Sequence, residues 1–375
     1  MSMTEARPLA HVLQEERAAR LRSAMAKEGF DRLLVFGNLW RGYCLRYCTG
    51  AAMTEGYGVA IVERDGPVRL LAEAPGEAER LAAEHPGLQV AWRPKLFEEI
   101  EPILAERGRV SFAPAVAIPF GLANKVDPKR VARATAMFDP LLMCKSPAEL
   151  EAVRRAAALA DQGYMVFMAA ARVGRREYEL VADVEAFFRE RGCPDNFQIL
   201  ASGGIEVRGM HPPGERRLQA GDMVTTELTP CVEGYYAQIC RTLVIGEPNA
   251  AQKRAFAVFN EAMEAGIDAV KPGGTAADVA RALNDVFRAH GLGDYVTSQY
   301  TRVRGHALGL GTGLKPSILE DVDTVLEEGM TLIVHPNTFH PETGYFVHGD
   351  TLRVTGDGSE VLCGTARALF SVPAH

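Results

Sequence analysis

With 375 residues, 47% hydrophobic and 24% charged, the chain is long enough for two ordinary domains, and its composition excludes a largely disordered, collagenous or coiled-coil protein. A formal charge of −7 without blocks of like charge leaves no footprint for a phosphate backbone or an anionic membrane, so neither is an expected partner. Acids and a proline interrupt the N-terminal stretch, and no run of about 18 apolar residues occurs, so a cytoplasmic location is expected. Residues 14–29 (QEERAARLRSAMAKEG) read as an amphipathic helix closed by Gly29, followed by an apolar strand at 32–37. Strands at 56–63, 67–73 and 88–93, with helices at 75–84 and 97–107, complete a predicted α/β domain over 1–145. Ser146 can cap the next helix and Pro147 can open it, so a second domain is expected over 146–375.

In the second domain the pattern occurs twice. A helix at 147–172, a second helix closing as FFRERG, and strands near 197–203 and 222–228 form the first copy. A helix near 250–270, a second helix closing as VFRAHG, and strands near 299–307 and 330–336 form the second. Two α-α-β-β units of this length are duplicated half-domains, which predicts a pseudo-twofold fold with helices backing one antiparallel sheet.

Polar residues at strand centres point to the open face of such a sheet. Glu227 interrupts the apolar strand GDMVTTELTP, and Gln238 and Cys240 lie one period-two step apart in GYYAQICRTLVIG. His306 follows a glycine in RGHALGLG, His335 ends TLIVHPN, and His348 sits between aromatic residues and Asp350. His211, in RGMHPPGER, follows VRG as His306 follows VRG, so pseudo-symmetry places both on one cleft. Taken singly, a buried histidine is as readily a hydrogen-bonded core residue, and Cys240 a small buried hydrophobe. The seven cysteines include no CxxC pair, which predicts reduced thiols.

The segment from Lys145 to about Gly364 resembles the creatinase, Xaa-Pro peptidase and methionine aminopeptidase superfamily with its pita-bread fold. The residues that carry the resemblance are KSPAELEAVRRA, GDMVTTELTPCVEGYYAQICRTLVIG, VKPGGTAADV, RGHALGLG, LEEGMTLIVHPNTF and HGDTLRVTGDGSEVL. LWRGYCLRYCTGA adds a weaker likeness in the first domain. The resemblance implies a creatinase-like N-terminal α/β domain and a homodimer with the active site near the interface. The metallopeptidases of this superfamily hold two ions with Asp, Asp, His, Glu and Glu in that order. Those positions carry Glu227, Gln238, His306, His335 and Gly349 here, too few carboxylates to screen two divalent ions.

The expectation is therefore a metal-independent, cofactor-free, creatinase-like hydrolase that cleaves a C–N bond in a small, polar, carboxylated metabolite. By the same resemblance His211 is its acid/base and His306 its second active-site histidine. The two catalytic glutamates of creatinase fall on Cys240 and His348. Glu227 and His335 complete the catalytic set, and Gln238, Tyr236 and Lys315 are the expected substrate-binding residues. Three alternatives stand beside this reading. One is a Cys240 thiolate nucleophile activated by imidazolium neighbours. The second is a divergent Xaa-Pro-type peptidase with a single iron or zinc on Glu227, His306 and His335. The third is a catalytically inactive binding protein on the same scaffold.

Overall fold

Ser146 accepts a hydrogen bond from the Glu149 amide while Glu149 returns one to the Ser146 amide, a capping box that starts the first helix of the second half of the chain. The division into two compact units falls just before it, between Leu142 and Met143. The computed structural model describes residues 7–104 and 110–374. The end of the helix expected at 97–107 lies outside the described residues.

The first unit contains α1 (Leu9–Glu28), β1 (Arg32–Asn38), α2 (Tyr43–Thr49), β2 (Tyr57–Glu63), β3 (Val68–Ala72), α3 (Pro75–Glu84), β4 (Gln89–Trp92), α4 (Leu96–Leu104), β5 (Val110–Ala113), α5 (Phe120–Ala123) and most of α6 (Pro128–Met143). Its strands form one sheet in the order β4-β3-β2-β1-β5. The central pairs are antiparallel, and β5 and β4 add in parallel at the two edges. Gly29 ends α1 in the left-handed conformation at φ 73°, which a side chain would resist.

The second unit runs α7 (Pro147–Ala170), α8 (Glu177–Glu190), β6 (Asn196–Gly203), β7 (Met223–Val232), β8 (Tyr235–Tyr236), β9 (Ile239–Ile245), α9 (Ala250–Ala269), α10 (Ala276–Ala289), β10 (Gly305–Ala307), β11 (Leu314–Ser317), β12 (Thr331–Val334), β13 (Thr338–His340), β14 (Gly344–Phe346), β15 (Gly349–Val354), β16 (Ser359–Val361) and β17 (Phe370–Val372). The main sheet follows β11-β10-β12-β15-β9-β7-β6, while β13 and β14 form a separate hairpin.

The duplicated pattern is visible in the helix pairs. Like α7, α9 opens on a capping box, made by Asn249 and Gln252. A β-carbon on Gly163 of α7 would lie 2.4 Å from the Phe188 ring of α8, and one on Gly266 of α9 would lie 2.9 Å from Leu283 of α10. Each helix pair therefore closes on a glycine contact at the matching place. The buried face of α7, with Tyr164 and Phe167, packs in one core with Phe188, Leu228, Ile239 and Leu243. The strand expected at 299–307 shrinks to Gly305–Ala307. Gly305 has φ 136°, and a β-carbon there would sit 2.0 Å from the Ile333 carbonyl oxygen. This close approach is open to glycine, and β10 joins β12 over three residues.

Candidate active site

Register builds the site from the sheet. Glu227 of β7 pairs with Cys240 of β9, and Cys240 pairs with Gly349 of β15. A β-carbon on Gly349 would fall 2.7 Å from the His335 β-carbon, so the row continues to the end of β12. His306 on β10 then meets His335 edge to face, with ring centroids 6.0 Å apart.

Glu227 is buried and lies at the centre of a hydrogen-bond cage. Its Oε2 accepts from Gln238 Nε2 at 2.8 Å and its Oε1 from Asn337 Nδ2 at 2.8 Å. Burial raises its pKa to about 7, opposed by hydrogen bonds from the Cys240 thiol, Gln238 and Asn337. Arg241 and Arg302, the salt-bridge partners a structural role would give it, are engaged elsewhere. Arg241 pairs with Asp350 at 2.7 Å, and Arg302 with Asp321 at 2.5 Å.

The histidines of the row are neutral near pH 7. Burial and the neighbouring His306 and Arg304 charges lower His335 to about 3, and its Nδ1 is buried without a hydrogen-bond partner. His306 is lowered by burial, against a hydrogen bond between its Nδ1 and the Ala307 carbonyl at 3.2 Å. Burial and the charges of Arg241 and Arg367 hold His348 well below its usual range, and its Nε2 also lacks a partner. The Cys240 thiol is fully buried, and burial and the Glu227 charge push it up. No imidazolium stands beside it to stabilise a thiolate, so it is a neutral thiol here.

The structure thus gathers Glu227, Gln238 and Cys240, sets His335 and His306 beside each other, and ties His348 in through Asn337. Asn337 Oδ1 accepts from the His348 amide at 3.0 Å while its Nδ2 holds Glu227. Asn337 is absent from the residues expected from sequence. No strand period marks it, since it falls between β12 and β13. Three expected residues stand apart. His211 is exposed on the loop after β6, with Nδ1 2.8 Å from the Pro212 carbonyl. Tyr236 donates its hydroxyl to Asp195, and Lys315 is exposed on β11.

The model of metallopeptidase family M24 matches residues 151–356, and that of the creatinase/prolidase N-terminal domain matches 17–141. The chain belongs to metallopeptidase family M24. It is 27% identical over 364 residues to an Xaa-Pro dipeptidase of Pyrococcus furiosus, covering 95% of this chain and all of that one. A putative dipeptidase of Bacillus subtilis, YkvY, is 31% identical over 222 residues, 59% of this chain and 60% of that one. Among solved structures, the P. furiosus prolidase matches with a TM-score of 0.76 at 26% identity, covering 92% of this chain and 99% of the other. The Pyrococcus horikoshii prolidase shares the fold, with a TM-score of 0.79 over 94% of this chain and 99% of the other at 24% identity.

These relatives correct two expectations. Kinship runs end to end to Xaa-Pro dipeptidases, which overturns the metal-independent creatinase-like hydrolase. Membership of a metallopeptidase family overturns the cofactor-free reading. The five-ligand, two-ion arrangement nevertheless does not fit this chain's residues. The Gln238 amide is committed to Glu227, Gly349 has no side chain, and among the described residues no three His, Cys, Asp or Glu side chains are already gathered to hold an ion. A single ion is the smaller demand, and the unpartnered Nδ1 of buried His335 is the atom that favours it.

Proposed function

We propose that this protein is a divergent Xaa-Pro-type dipeptidase, a hydrolase that cleaves the C–N bond of a short peptide beside Glu227. The observation that carries this reading is the similarity to an Xaa-Pro dipeptidase over 95% of the chain. Glu227, with a pKa of about 7, can take a proton from the attacking water as carboxylate and return it to the leaving nitrogen as acid. Gln238 and Asn337 fix both of its oxygens, so the proton moves at a defined position. His306, with Nδ1–H directed at the Ala307 carbonyl, presents Nε2 as an acceptor.

A single ion, where bound, would require Glu227, His306 and His335 to draw together, since they are not gathered among the described residues, and would supply Lewis-acid polarisation of the scissile carbonyl. Proline release from Xaa-Pro dipeptides, followed with metal content before and after chelation, tests the reading. The expected result is release that EDTA abolishes and a divalent ion restores, with no more than one ion per chain. Absence of release from a panel of Xaa-Pro dipeptides by ion-loaded protein would overturn it. A homodimer is part of the proposal, and light scattering should give twice the chain mass of 40.7 kDa.

A further inference from the structure

A cavity of about 480 Å³ opens on the loop after β6, and Ser202, Glu206, Arg208, His211 and Arg216 are among its lining residues. Its charges are unequally satisfied. Arg216 gives two guanidinium nitrogens to Asp222, at 2.6 and 2.9 Å, and one of them also to the Ser202 hydroxyl at 3.0 Å. Glu206 turns back into its own loop, where Oε1 accepts from the Gly204 amide at 3.0 Å. Arg208 differs from both. Its guanidinium carbon lies 4.1 Å from the centroid of the Phe339 ring, and among the described residues it has no ion pair or hydrogen bond. A ring under the guanidinium holds the plane of the fork and leaves its edge free to bind.

This cavity adjoins the Glu227 site through three connections. His211 bridges to Leu200, the neighbour of Ile199, which pairs with Glu227 across β6 and β7. Phe339 lies two residues after Asn337, the donor to Glu227. The Tyr345 amide donates to the Val207 carbonyl at 2.9 Å, which docks the β13–β14 hairpin against the loop.

We propose that Arg208 is a specificity-determining residue that takes the substrate's terminal carboxylate in this cavity. The inference rests on the peptidase reading for its choice of anion. A planar guanidinium matches a carboxylate with two parallel hydrogen bonds, whereas the salt-bridged Arg216 has already spent that geometry on Asp222. The assignment also sets Arg208 against Lys315, one of the substrate-binding residues that the resemblance implies.

The test measures binding and turnover separately. Binding is read by calorimetry with an Ala-Pro analogue whose peptide bond is reduced and cannot be hydrolysed, and with its C-terminal amide. Turnover is read with Ala-Pro itself. The expected result is that the acid binds more tightly than the amide, and that Arg208→Met weakens the acid by roughly 10- to 100-fold while leaving the amide unchanged. Arg208→Lys should recover part of that loss, and in turnover Arg208→Met should raise KM far more than it lowers kcat. Equal binding of acid and amide, an Arg208→Met affinity within twofold of wild type, or the whole loss appearing instead in Lys315→Met would overturn the assignment. Arg208-dependent binding without turnover would sink the peptidase reading and leave the assignment standing. Turnover with Arg208-independent binding would do the reverse, and neither binding nor turnover would remove both.

Discussion

Glu227 is a carboxylic acid in a site that gives it amide donors and a thiol but no cation, so its proton is held by burial and released only near neutrality. Its folded pKa of about 7 lies above the ordinary 4.5, so the folded state binds more protons between those values and stability falls as pH rises through that window. Glu227→Gln removes this titration. Its stability relative to wild type should therefore climb by roughly 3 kcal/mol between pH 4.5 and 7, measured by denaturant unfolding at each pH. The same variant should lower kcat by roughly 10² or more, because the amide cannot exchange the proton. Asn337→Ala deletes a donor to the carboxylate and leaves the His348 amide without its acceptor. We expect a stability loss of about 1–3 kcal/mol and an upward displacement of whichever limb of the pH–rate profile Glu227 governs. An unmoved limb in a folded variant would separate Glu227 from catalysis.

At the scale of elements, β9, β15 and β12 are matched to one another by volume as well as by register. Gly349 has room for no side chain, since a β-carbon would lie 2.7 Å from that of His335 and 2.8 Å from the Val334 carbonyl oxygen. A β-carbon at 349 and a β-carbon at 335 therefore exclude one another in this packing. Gly349→Ala should cost about 1–3 kcal/mol by overpacking, and should cost less in a His335→Gly background, as a double-mutant cycle would record. Equal costs in both backgrounds would show that the two positions are uncoupled. The repeated helix pairs were legible because capping residues and the closing glycines act locally. The length of β10 was not, because it depends on pairing with β12, where His306 meets Ile333 from a distant part of the sequence.

For the whole molecule, buried neutral histidines oppose Glu227 in acid. His335 and His348 both have folded pKa values below 6.5, so the unfolded state binds more protons at these two sites as pH falls below that value, and their contribution to stability is lost from there downward, against the gain from Glu227. His335→Gln and His348→Gln should each flatten this acid limb of the stability profile, read as the unfolding midpoint between pH 6.5 and 4. A limb unchanged in both variants would place the acid sensitivity elsewhere. Periodicity, caps and motif order by themselves determined two domains, the duplicated helix–strand pattern, the superfamily, and the polar residues of the central strands, because each depends on neighbours a few residues away or on a period of two. Only the tertiary structure decided what those residues do together. It placed Asn337 against Glu227, left Arg241 to Asp350, kept Cys240 a neutral thiol, and put His211 and Arg208 in a cavity on the loop after β6. These outcomes turn on desolvation and on distances between strands far apart in sequence, and neither quantity exists until the sheet has closed.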